Sequence, residues 1–414
     1  MANHKSSELT HEEQRVAVYS SSDEPSDPGS VTSDTPLDAL NLNWSERDLP
    51  ERVRTKHVHR LHPYLGKFIP QLVEIFLRKY FQPGQTVLDP FAGSGTTLVQ
   101  ANELGISAVG YDVSAFNVLL ARAKTKHYNL KIVRQEIFDI LDRTAHSTQA
   151  QVWQPSLWAV ANSSEADRGN STAGYLERWF APQALSELLT YRELIDAYED
   201  RDILKVILSR SARSARLTTH FDLDFPKAPQ TEPYWCYKHG RECTPTTSAY
   251  QFLKRYSLDT LRRLEEFATR QTTATVTIGH SDSRKANIPP VDGLITSPPY
   301  VGLIDYHEQH RYAYALLGLT DCSELEIGAA KRGAGQKAQF EYQQAIADVF
   351  RHACRSMPSG GRLIVIAGDK YNLYPDIARA VGVETEAVLQ RHVNRRTGRR
   401  ANEFFESIFI WRKP

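Results

Sequence analysis

The spacing of apolar residues along the chain predicts an alternating strand-and-helix fold. Short apolar runs end at Asp89 and Asp112, a helical stretch follows each of them, and a helix with one apolar face is predicted over 70–80. Further strand signals lie at 274–278, 293–296, 362–367, 387–393 and 407–411. These elements predict an α/β fold with a doubly wound sheet of about seven strands, in which the last two form an antiparallel pair.

The remaining segments divide the chain into four regions. Residues 1–45 are rich in Ser, Asp, Pro and Thr and show no apolar period, so we predict a disordered tail. Residues 46–130 and 271–414 carry the two parts of the α/β domain. Residues 131–270 contain mainly amphipathic helical stretches, which predicts an inserted helical region.

Composition restricts the class of protein. The 414 residues are 41% hydrophobic and 24% charged, which suits one large globular domain or two ordinary ones. The sequence contains no run of about 18 apolar residues, and its first residues lack the pattern of a secretion signal. We therefore expect a cytoplasmic protein without a membrane partner. Four cysteines are too few for a disulfide framework, which agrees with a reducing compartment.

Charge gives only local signs of a nucleic-acid partner. The formal net charge is +1, so no overall basic excess is present. Arg210, Arg213 and Arg216 fall on one helical stripe, which suits phosphate groups, and a second basic cluster contains Arg396 and Arg399. An ordinary solvated face is the alternative for each cluster.

The turn after Asp89 is the first candidate for chemistry. Gly93 and Gly95 let the backbone approach a ligand where a strand ends and a helix begins. The string lacks the third glycine of a dinucleotide fingerprint and the Lys-Ser/Thr ending of a phosphate loop. Asp112, at the end of the next strand, suits the two hydroxyls of a ribose. The pattern predicts a site for a ribose without a pyrophosphate; a plain tight turn is the alternative.

The second candidate is the turn from Ser297 to Tyr300, directly after the apolar strand 293–296. Pro298 and Pro299 fix the backbone and remove two donors, so the local carbonyls and the Ser297 hydroxyl become acceptors beside an aromatic ring. This set favours an amino group on a flat ring. A proline turn that merely ends a strand is the alternative, and it is weakened by the glycine turn elsewhere in the same chain.

With both motifs, the sequence resembles the amino-methylating DNA methyltransferases, which modify N4 of cytosine or N6 of adenine. The resemblance covers roughly residues 55–130 and 274–414, and it implies S-adenosylmethionine as cofactor and the methyltransferase sheet. It makes 46–130 the cofactor-binding half and 271–414 the catalytic half. The residues that match the family's cofactor-binding elements are His62, Tyr64, Lys67, Asp89, Pro90, Phe91, Ala92, Gly93, Gly95, Thr96, Thr97, Asp112 and Asp282.

The resemblance also assigns the catalytic turn. Serine at its first position, Ser297, is typical of the cytosine-N4 branch, whereas Asp or Asn is typical of adenine-N6 enzymes. We expect the Ser297 side chain and the Pro298 carbonyl to accept the amino hydrogens while Tyr300 stacks on the base. No covalent nucleophile is needed, and the target base must leave the duplex stack.

Partners and rival functions follow from the same resemblance. Double-stranded DNA is the expected partner, and a cognate restriction endonuclease is a further one by inference from the family. Region 131–270 is the candidate target-recognition region, and His307 and Arg311 are candidate DNA contacts, with packing in a helix as their alternative. Methylation of adenine N6 or of an RNA amino group stays open, as does a non-catalytic nucleic-acid-binding module.

A cysteine and histidine cluster lies in the inserted region. Cys236, His239 and Cys243 form a Cys-x2-His-x3-Cys pattern that would hold zinc only with a fourth ligand from elsewhere. The spacing does not match a paired Cys-x2-Cys knuckle, so no metal site is predicted.

Overall fold

One eight-stranded sheet organises the fold. The computed structural model describes residues 17–66, 68–151, 172–220, 222–223, 226–393 and 404–414. The strands of the sheet are β1 Ala17–Val18, β2 Thr86–Asp89, β3 Ser107–Asp112, β6 Val276–His280, β7 Gly293–Thr296, β8 Arg362–Ala367, β9 Glu384–His392 and β10 Phe405–Arg412. Two short strands, β4 Tyr234–Cys236 and β5 Arg241–Cys243, form a separate hairpin.

The strand order confirms the doubly wound α/β fold. It runs β1-β9-β10-β8-β7-β2-β3-β6. The central pairs β7–β8, β2–β7, β2–β3 and β3–β6 are parallel, whereas β10 is antiparallel to both β8 and β9. The predicted antiparallel pair at the carboxyl end of the chain is therefore present. The order reverses direction at β2, where the carboxyl ends of the strands leave a crevice for a ligand.

Helices cover both faces of the sheet and fill the inserted region. They are α1 Glu51–Arg54, α2 Pro70–Tyr80, α3 Thr96–Glu103, α4 Ala115–Thr125, α5 Leu130–Gln151, α6 Thr172–Trp179, α7 Pro182–Leu194, α8 Arg201–Ala215, α9 Tyr250–Ala268, α10 Tyr306–Gln309, α11 Arg311–Leu317, α12 Gln336–Cys354 and α13 Tyr374–Val381. Within the described ranges, none of these helices is long and apolar enough to cross a lipid bilayer.

The sheet is buried on both faces. Neighbouring residues of one strand point to opposite sides, so Ile295 joins the cluster that includes Phe76 of α2, while Leu294 joins the cluster that includes Phe350 of α12. Strands covered on both faces read as continuous apolar runs. This explains why β7 and β8 have the bounds that the sequence predicts.

The helices of the inserted region pack around a third hydrophobic cluster. It includes Ile137 of α5, Tyr191 of α7 and Ile207 of α8, together with Phe116 of α4 and Tyr312 of α11. Residues of the inserted region therefore share a core with helices of the α/β domain. The helices α8 and α9 also bring charged side chains together, among them Arg210 of α8 and Asp259 of α9.

The prediction of a disordered tail is wrong for residues 17–45. Strand β1 pairs with β9 through Ala17 and Val18, and Leu40 and Leu42 are 3% and 2% exposed in the core on one face of the sheet. A two-residue strand and isolated apolar residues leave no periodic pattern for a sequence to reveal. Residues 1–16 lie outside the described ranges.

Candidate active site

The carboxyl ends of β2, β3 and β7, with the segment after β6, open onto one cavity. A concave site at the carboxyl ends of parallel strands suits a small-molecule ligand. Its lining combines apolar side chains with a few polar groups from separate motifs. The lining residues that the sequence predicted are Tyr64, Pro90, Phe91, Ala92, Gly93, Thr96, Asp112, Asp282, Ser297 and Pro299.

The glycine turn brings backbone to the wall of the cavity. Gly93 and Gly95 have φ of +49° and +82°, a region that residues with a Cβ rarely adopt. A Cβ at Gly95 would lie 2.9 Å from the Cβ of Ala121, so this glycine allows α3 and α4 to approach each other. Gly93 lines the cavity, whereas Gly95 lies outside the lining and acts through packing.

Asp112 presents a carboxylate to the cavity at the end of β3. Its Oδ2 accepts the N–H of Gly93 at 2.8 Å, and its Oδ1 accepts the N–H of Ser114 at 2.8 Å and the side-chain amide of Asn117 at 3.1 Å. Burial raises the pKa of Asp112, and these three donors oppose the rise. The donors hold the carboxylate in one orientation, and two of them come from residues that sequence reasoning did not single out.

Asp282 lies on another wall of the cavity and is fixed by its neighbour Arg284. The guanidinium donates to both carboxylate oxygens, with Nη2 to Oδ2 at 2.7 Å and Nε to Oδ1 at 2.9 Å. Burial alone would raise the pKa of Asp282, but the hydrogen bonds from Arg284 outweigh it and hold the pKa below its usual value. Asp282 is therefore a fixed anion at the rim of the cavity.

Asp89 and Thr296 join the glycine turn to the catalytic turn. The Thr296 hydroxyl donates to Oδ1 of Asp89 at 2.6 Å, and the N–H of Phe91 donates to the same oxygen at 3.1 Å. Asp89 is fully buried, and burial raises its pKa to about 6 although these donors lower it. Asp89 lies outside the lining, so the structure corrects its assignment from ligand contact to the support of both turns.

Two hydrogen bonds hold the second half of the turn from Ser297 to Tyr300. The Tyr342 hydroxyl donates to the Pro299 carbonyl at 2.9 Å, and the Tyr300 hydroxyl donates to Oε1 of Glu406 at 2.8 Å. Ser297 and Pro299 line the cavity, while Pro298 and Tyr300 lie outside its lining. The turn therefore contributes its first and third residues to the wall of the cavity, and the residue Tyr300 is partly exposed.

A chain of buried polar groups extends from Tyr300 into the sheet. Oε2 of Glu406 accepts the Nε–H of Arg391 at 2.9 Å, and both side chains are at most 10% exposed. Burial and the Glu406 carboxylate raise the pKa of Tyr300 well above its usual range, so its hydroxyl stays protonated. Sequence reasoning missed Glu406 and Arg391, because a charged residue in a strand carries no sign of its distant partner.

The wall opposite the sheet is aromatic. The ring of Tyr64 stacks on that of Tyr306, with centroids 5.7 Å apart and planes 15° apart. Tyr306 and Glu326 line the cavity, and the sequence did not single out either residue. His307 pairs with Glu326 and is 5% exposed, so the structure gives it a packing role and corrects its assignment to DNA contact.

His62 and Thr97, two further residues predicted to bind the cofactor, are buried and lie outside the lining of the cavity. His62 is 1% exposed, and its Nε2 lies 3.2 Å from the Ser209 hydroxyl and 3.3 Å from the Tyr312 hydroxyl. Burial lowers the pKa of His62 well below its usual value, which keeps the ring neutral. Thr97 is fully buried and donates to the Ile295 carbonyl at 3.3 Å. Direct ligand contact is corrected to packing at both positions, and Lys67 lies outside the described residues.

The arginine stripe is not a free phosphate-binding surface. Arg210 is 8% exposed and bonds to Asp259 at 2.7 Å, and Arg216 is 4% exposed with its guanidinium 4.5 Å from the centre of the Tyr312 ring. Arg213 is half-buried between them. The prediction is therefore wrong for two of the three arginines, since helical spacing does not distinguish a buried stripe from an exposed one.

The remaining candidate DNA contacts divide into two groups. Arg311 keeps 41% of its side chain exposed, pairs with Glu308 at 3.6 Å and lies 5.0 Å from the centre of the Tyr175 ring. It is therefore a surface residue with intramolecular partners. Arg396 and Arg399 lie outside the described residues.

Comparison with known proteins gives the family of the chain. The family model of N6- and N4-type enzymes, described as DNA methylase, matches residues 4–122. The Type II methyltransferase M.MjaII of Methanocaldococcus jannaschii is 36% identical over 430 residues, which cover 87% of this chain and 81% of that protein. The chain belongs to the amino-methylating DNA methyltransferases. This DNA methyltransferase therefore acts on amino groups of DNA bases with S-adenosylmethionine as methyl donor.

More distant relatives overlap less completely. The Type II methyltransferase M.MvaI of Kocuria varians is 22% identical over 258 residues, 58% of this chain and 53% of that protein. The solved structure of the rRNA methyltransferase aviRa from Streptomyces viridochromogenes has a TM-score of 0.33 and 14% identity, with 89% of this chain and 96% of that chain covered. Because this TM-score is low, the comparison supports no further statement about the fold of the DNA methyltransferase.

Proposed function

We propose that this enzyme is a site-specific DNA methyltransferase that methylates N4 of cytosine in duplex DNA. The observation that carries the proposal is Ser297, which stands in the wall of the cavity at the end of β7 and begins the Ser-Pro-Pro-Tyr turn. Serine at this position resembles the cytosine-N4 branch of the family. A hydroxyl and a carbonyl are neutral hydrogen-bond acceptors, which suits the two N–H donors of an exocyclic amino group.

The residues that line the cavity fit the cofactor in their donors and acceptors. When bound, S-adenosylmethionine supplies a methyl group activated by its sulfonium. Asp112 would accept the two ribose hydroxyls, and Gly93 leaves backbone beside it with no side chain in the way. Asp282 would accept the adenine amino group beside the apolar ring of Phe91. Tyr64 would cover the methionine part from the opposite wall.

The chain's own contribution to the reaction is placement of the target amino group. The amino nitrogen of cytosine is a poor nucleophile because its lone pair is delocalised into the ring. Ser297 Oγ and the Pro298 carbonyl would accept the two amino hydrogens, which draws the nitrogen toward tetrahedral geometry and localises the lone pair. The bond from Tyr342 to Pro299 keeps this turn fixed, so little reorganisation is needed.

Tyr300 would support the target base from the other side of the turn. Its hydroxyl is anchored by Glu406, which restricts the orientation of the ring. Stacking of a base on an aromatic ring contributes about 1–3 kcal/mol. A base inside the duplex cannot reach Ser297 or Tyr300, so the proposal includes extrusion of the target cytosine from the helix.

Asp112→Asn is expected to weaken binding of S-adenosylmethionine about tenfold, because the variant replaces a charged acceptor by an amide that presents a donor toward Gly93 or Ser114. Calorimetric titration with the cofactor measures the change. Asp196→Asn is the matched control, since that side chain is 84% exposed and should leave affinity unaltered. Equal affinity in the two variants would remove Asp112 from the ribose site.

The proposal assigns DNA reading to the inserted region 131–270. Support comes from the β4–β5 hairpin, where Trp235 and Tyr237 are 58% and 89% exposed beside the exposed cations Lys238 and Arg241. Aromatic and cationic groups on one surface suit bases and phosphates. Tyr237→Ala is expected to lower DNA affinity without changing cofactor affinity; unchanged DNA affinity at low salt would contradict the assignment.

The identity of the product tests the function directly. Purified enzyme is incubated with tritiated S-adenosylmethionine and unmethylated duplex DNA, which is then digested to nucleosides and analysed by mass spectrometry. We expect label in N4-methylcytosine, and a loss of label with Tyr300→Ala shows that the activity belongs to this chain. Label in N6-methyladenine would overturn the assignment of the base, and label only in added RNA would overturn the assignment of DNA.

We also propose that the enzyme protects DNA against a partner nuclease. The support is that the relatives above carry the description Type II methyltransferase. DNA methylated by the enzyme should resist a restriction endonuclease that cuts the same site. A panel of endonucleases applied before and after methylation measures this, and uniform cleavage after complete methylation would count against the proposal.

A further inference from the structure

Four side chains of types that bind metals converge beside the β4–β5 hairpin, outside the candidate active site. They are His220, Cys236, His239 and Cys243, and one ligand atom of each lies within 4.8 Å of the others. Cys236 Sγ is 3.6 Å from Nδ1 of His220 and 3.6 Å from Nδ1 of His239. Nδ1 of His239 is also 3.4 Å from Cys243 Sγ. His220 therefore supplies the fourth side chain that the Cys-x2-His-x3-Cys spacing lacked.

The three sulfur–nitrogen separations match the coordination sphere of zinc. Zn–S and Zn–N bonds of about 2.3 and 2.0 Å in tetrahedral geometry place sulfur and nitrogen ligands about 3.5 Å apart. We propose that His220, Cys236, His239 and Cys243 bind a structural Zn²⁺ ion. Two thiolates and two imidazoles fill all four positions, which leaves no open position for a substrate or a catalytic water.

Among the described residues, the strands of the hairpin contribute no side chain to the three hydrophobic clusters. Its strands have three residues each, and a two-stranded hairpin of this size is not stable alone in water. Cys236 and Cys243 are 4% and 9% exposed, yet neither belongs to the three hydrophobic clusters. A metal ion supplies the folding free energy that such a small unit cannot obtain from a core.

The site also connects the hairpin to helix α8. His220 follows the end of this helix, where Arg216 donates to the Leu223 carbonyl at 2.5 Å and covers the Tyr312 ring. The backbone N–H of His220 donates to the Tyr234 hydroxyl at 3.0 Å, which places the histidine against β4. The metal would therefore fix the exposed Trp235 and Tyr237 relative to the helical core.

The alternative is a metal-free hydrogen-bonded cluster. The Tyr234 hydroxyl lies 2.9 Å from Nδ1 of His220, so the four side chains have partners without an ion. Metal content separates the two cases. The full chain is expressed with zinc supplied, purified without chelator and analysed by plasma mass spectrometry. We expect about one zinc per chain, whereas a content near zero in folded protein that binds S-adenosylmethionine would overturn the proposal.

Variants assign the ligands. Cys236→Ser and His220→Gln are expected to lose most of the zinc, and Cys322→Ser is the matched control because Cys322 is a free cysteine outside the cluster. Zinc retained in Cys236→Ser would overturn the site. Exchange of the wild-type chain with Co²⁺ gives an independent measurement: tetrahedral thiolate ligation produces visible absorption and a thiolate-to-metal charge-transfer band, and their absence contradicts the proposal.

Removal of the metal is expected to change the β4–β5 hairpin and not the sheet. A chelator is expected to expose the bonds after Lys238 and Arg241 to trypsin while the affinity for S-adenosylmethionine is retained, because the sheet has its own cores. Unchanged cleavage after the metal is removed would show that the ion does not organise the hairpin. A disulfide between Cys236 and Cys243 in the purified protein, detected by thiol titration, would also overturn zinc ligation.

Discussion

Ser297→Ala is expected to lower the rate constant of methyl transfer about 10²–10³-fold, which corresponds to the loss of one preorganised hydrogen-bond partner at the reacting group. The alanine leaves only the Pro298 carbonyl to accept an amino hydrogen, so the lone pair of the nitrogen stays delocalised. Single-turnover assays with saturating DNA and cofactor measure the chemical step.

The cofactor affinity of Ser297→Ala should stay close to that of the wild type, because the ribose and adenine contacts are assigned to other motifs. Ser356→Ala is a matched control: its hydroxyl donates to the Ile288 carbonyl at 2.9 Å away from the cavity, and its rate should be unchanged. A loss of less than about twofold in Ser297→Ala would exclude the hydroxyl from the reaction, since even a weak hydrogen bond contributes more.

Asp259→Ala is expected to lower the free energy of unfolding by about 3–5 kcal/mol. Its Oδ2 accepts Arg210 at 2.7 Å and Arg263 at 2.9 Å, and these arginine side chains are only 10% and 8% exposed. The variant leaves two buried cations next to each other with no carboxylate between them. Denaturation by urea, followed by circular dichroism, measures the change.

Arg262→Ala is the control, because Arg262 bonds to the other oxygen of Asp259 but is 63% exposed. It should cost less than about 1 kcal/mol. If the two variants were equally stable, the carboxylate would be no more than a surface acceptor, and the stripe of arginines would again be a candidate for phosphate contact.

The Asp259 carboxylate is expected to make the free energy of unfolding depend on pH. Burial alone would raise the pKa of Asp259, but Arg263 and Arg210 outweigh it and lower the pKa to about 2. Because the folded value lies below the unfolded value of about 4, the contribution to stability is complete above pH 4 and is lost as the pH falls toward 2. The acid sensitivity of unfolding between these values should be smaller in Asp259→Ala.

The sequence predicted the sheet well because buried strands have a local signature. The run at β8 is apolar over five consecutive positions between Arg362 and Gly368, so its bounds follow from burial on both faces. The two turns were found because glycine and proline restrict the backbone at defined positions, independent of the rest of the fold. Strand ends in a parallel sheet then bring such turns to one cavity.

Partners distant in the chain could not be predicted in this way. Glu406 lies 106 positions after Tyr300, and Asp259 lies 49 positions after Arg210. An arginine stripe that pairs with a buried acid has the same spacing as one that faces solvent. Likewise, His220 lies 16 positions before Cys236, in no recognised spacing with it, and only the fold brings the two together.

The edge of the sheet has a consequence for handling the protein. Ala17 and Val18 pair with Val388 and Leu389, and Asn43 accepts the N–H of His392 at 2.6 Å, so the segment 17–43 covers the outer side of β9. A chain shortened to begin at residue 46 would leave this strand with unpaired backbone groups next to uncovered apolar residues. Such an edge can pair with the same edge of a second molecule. A polar segment that reads as dispensable thus protects the edge of the sheet.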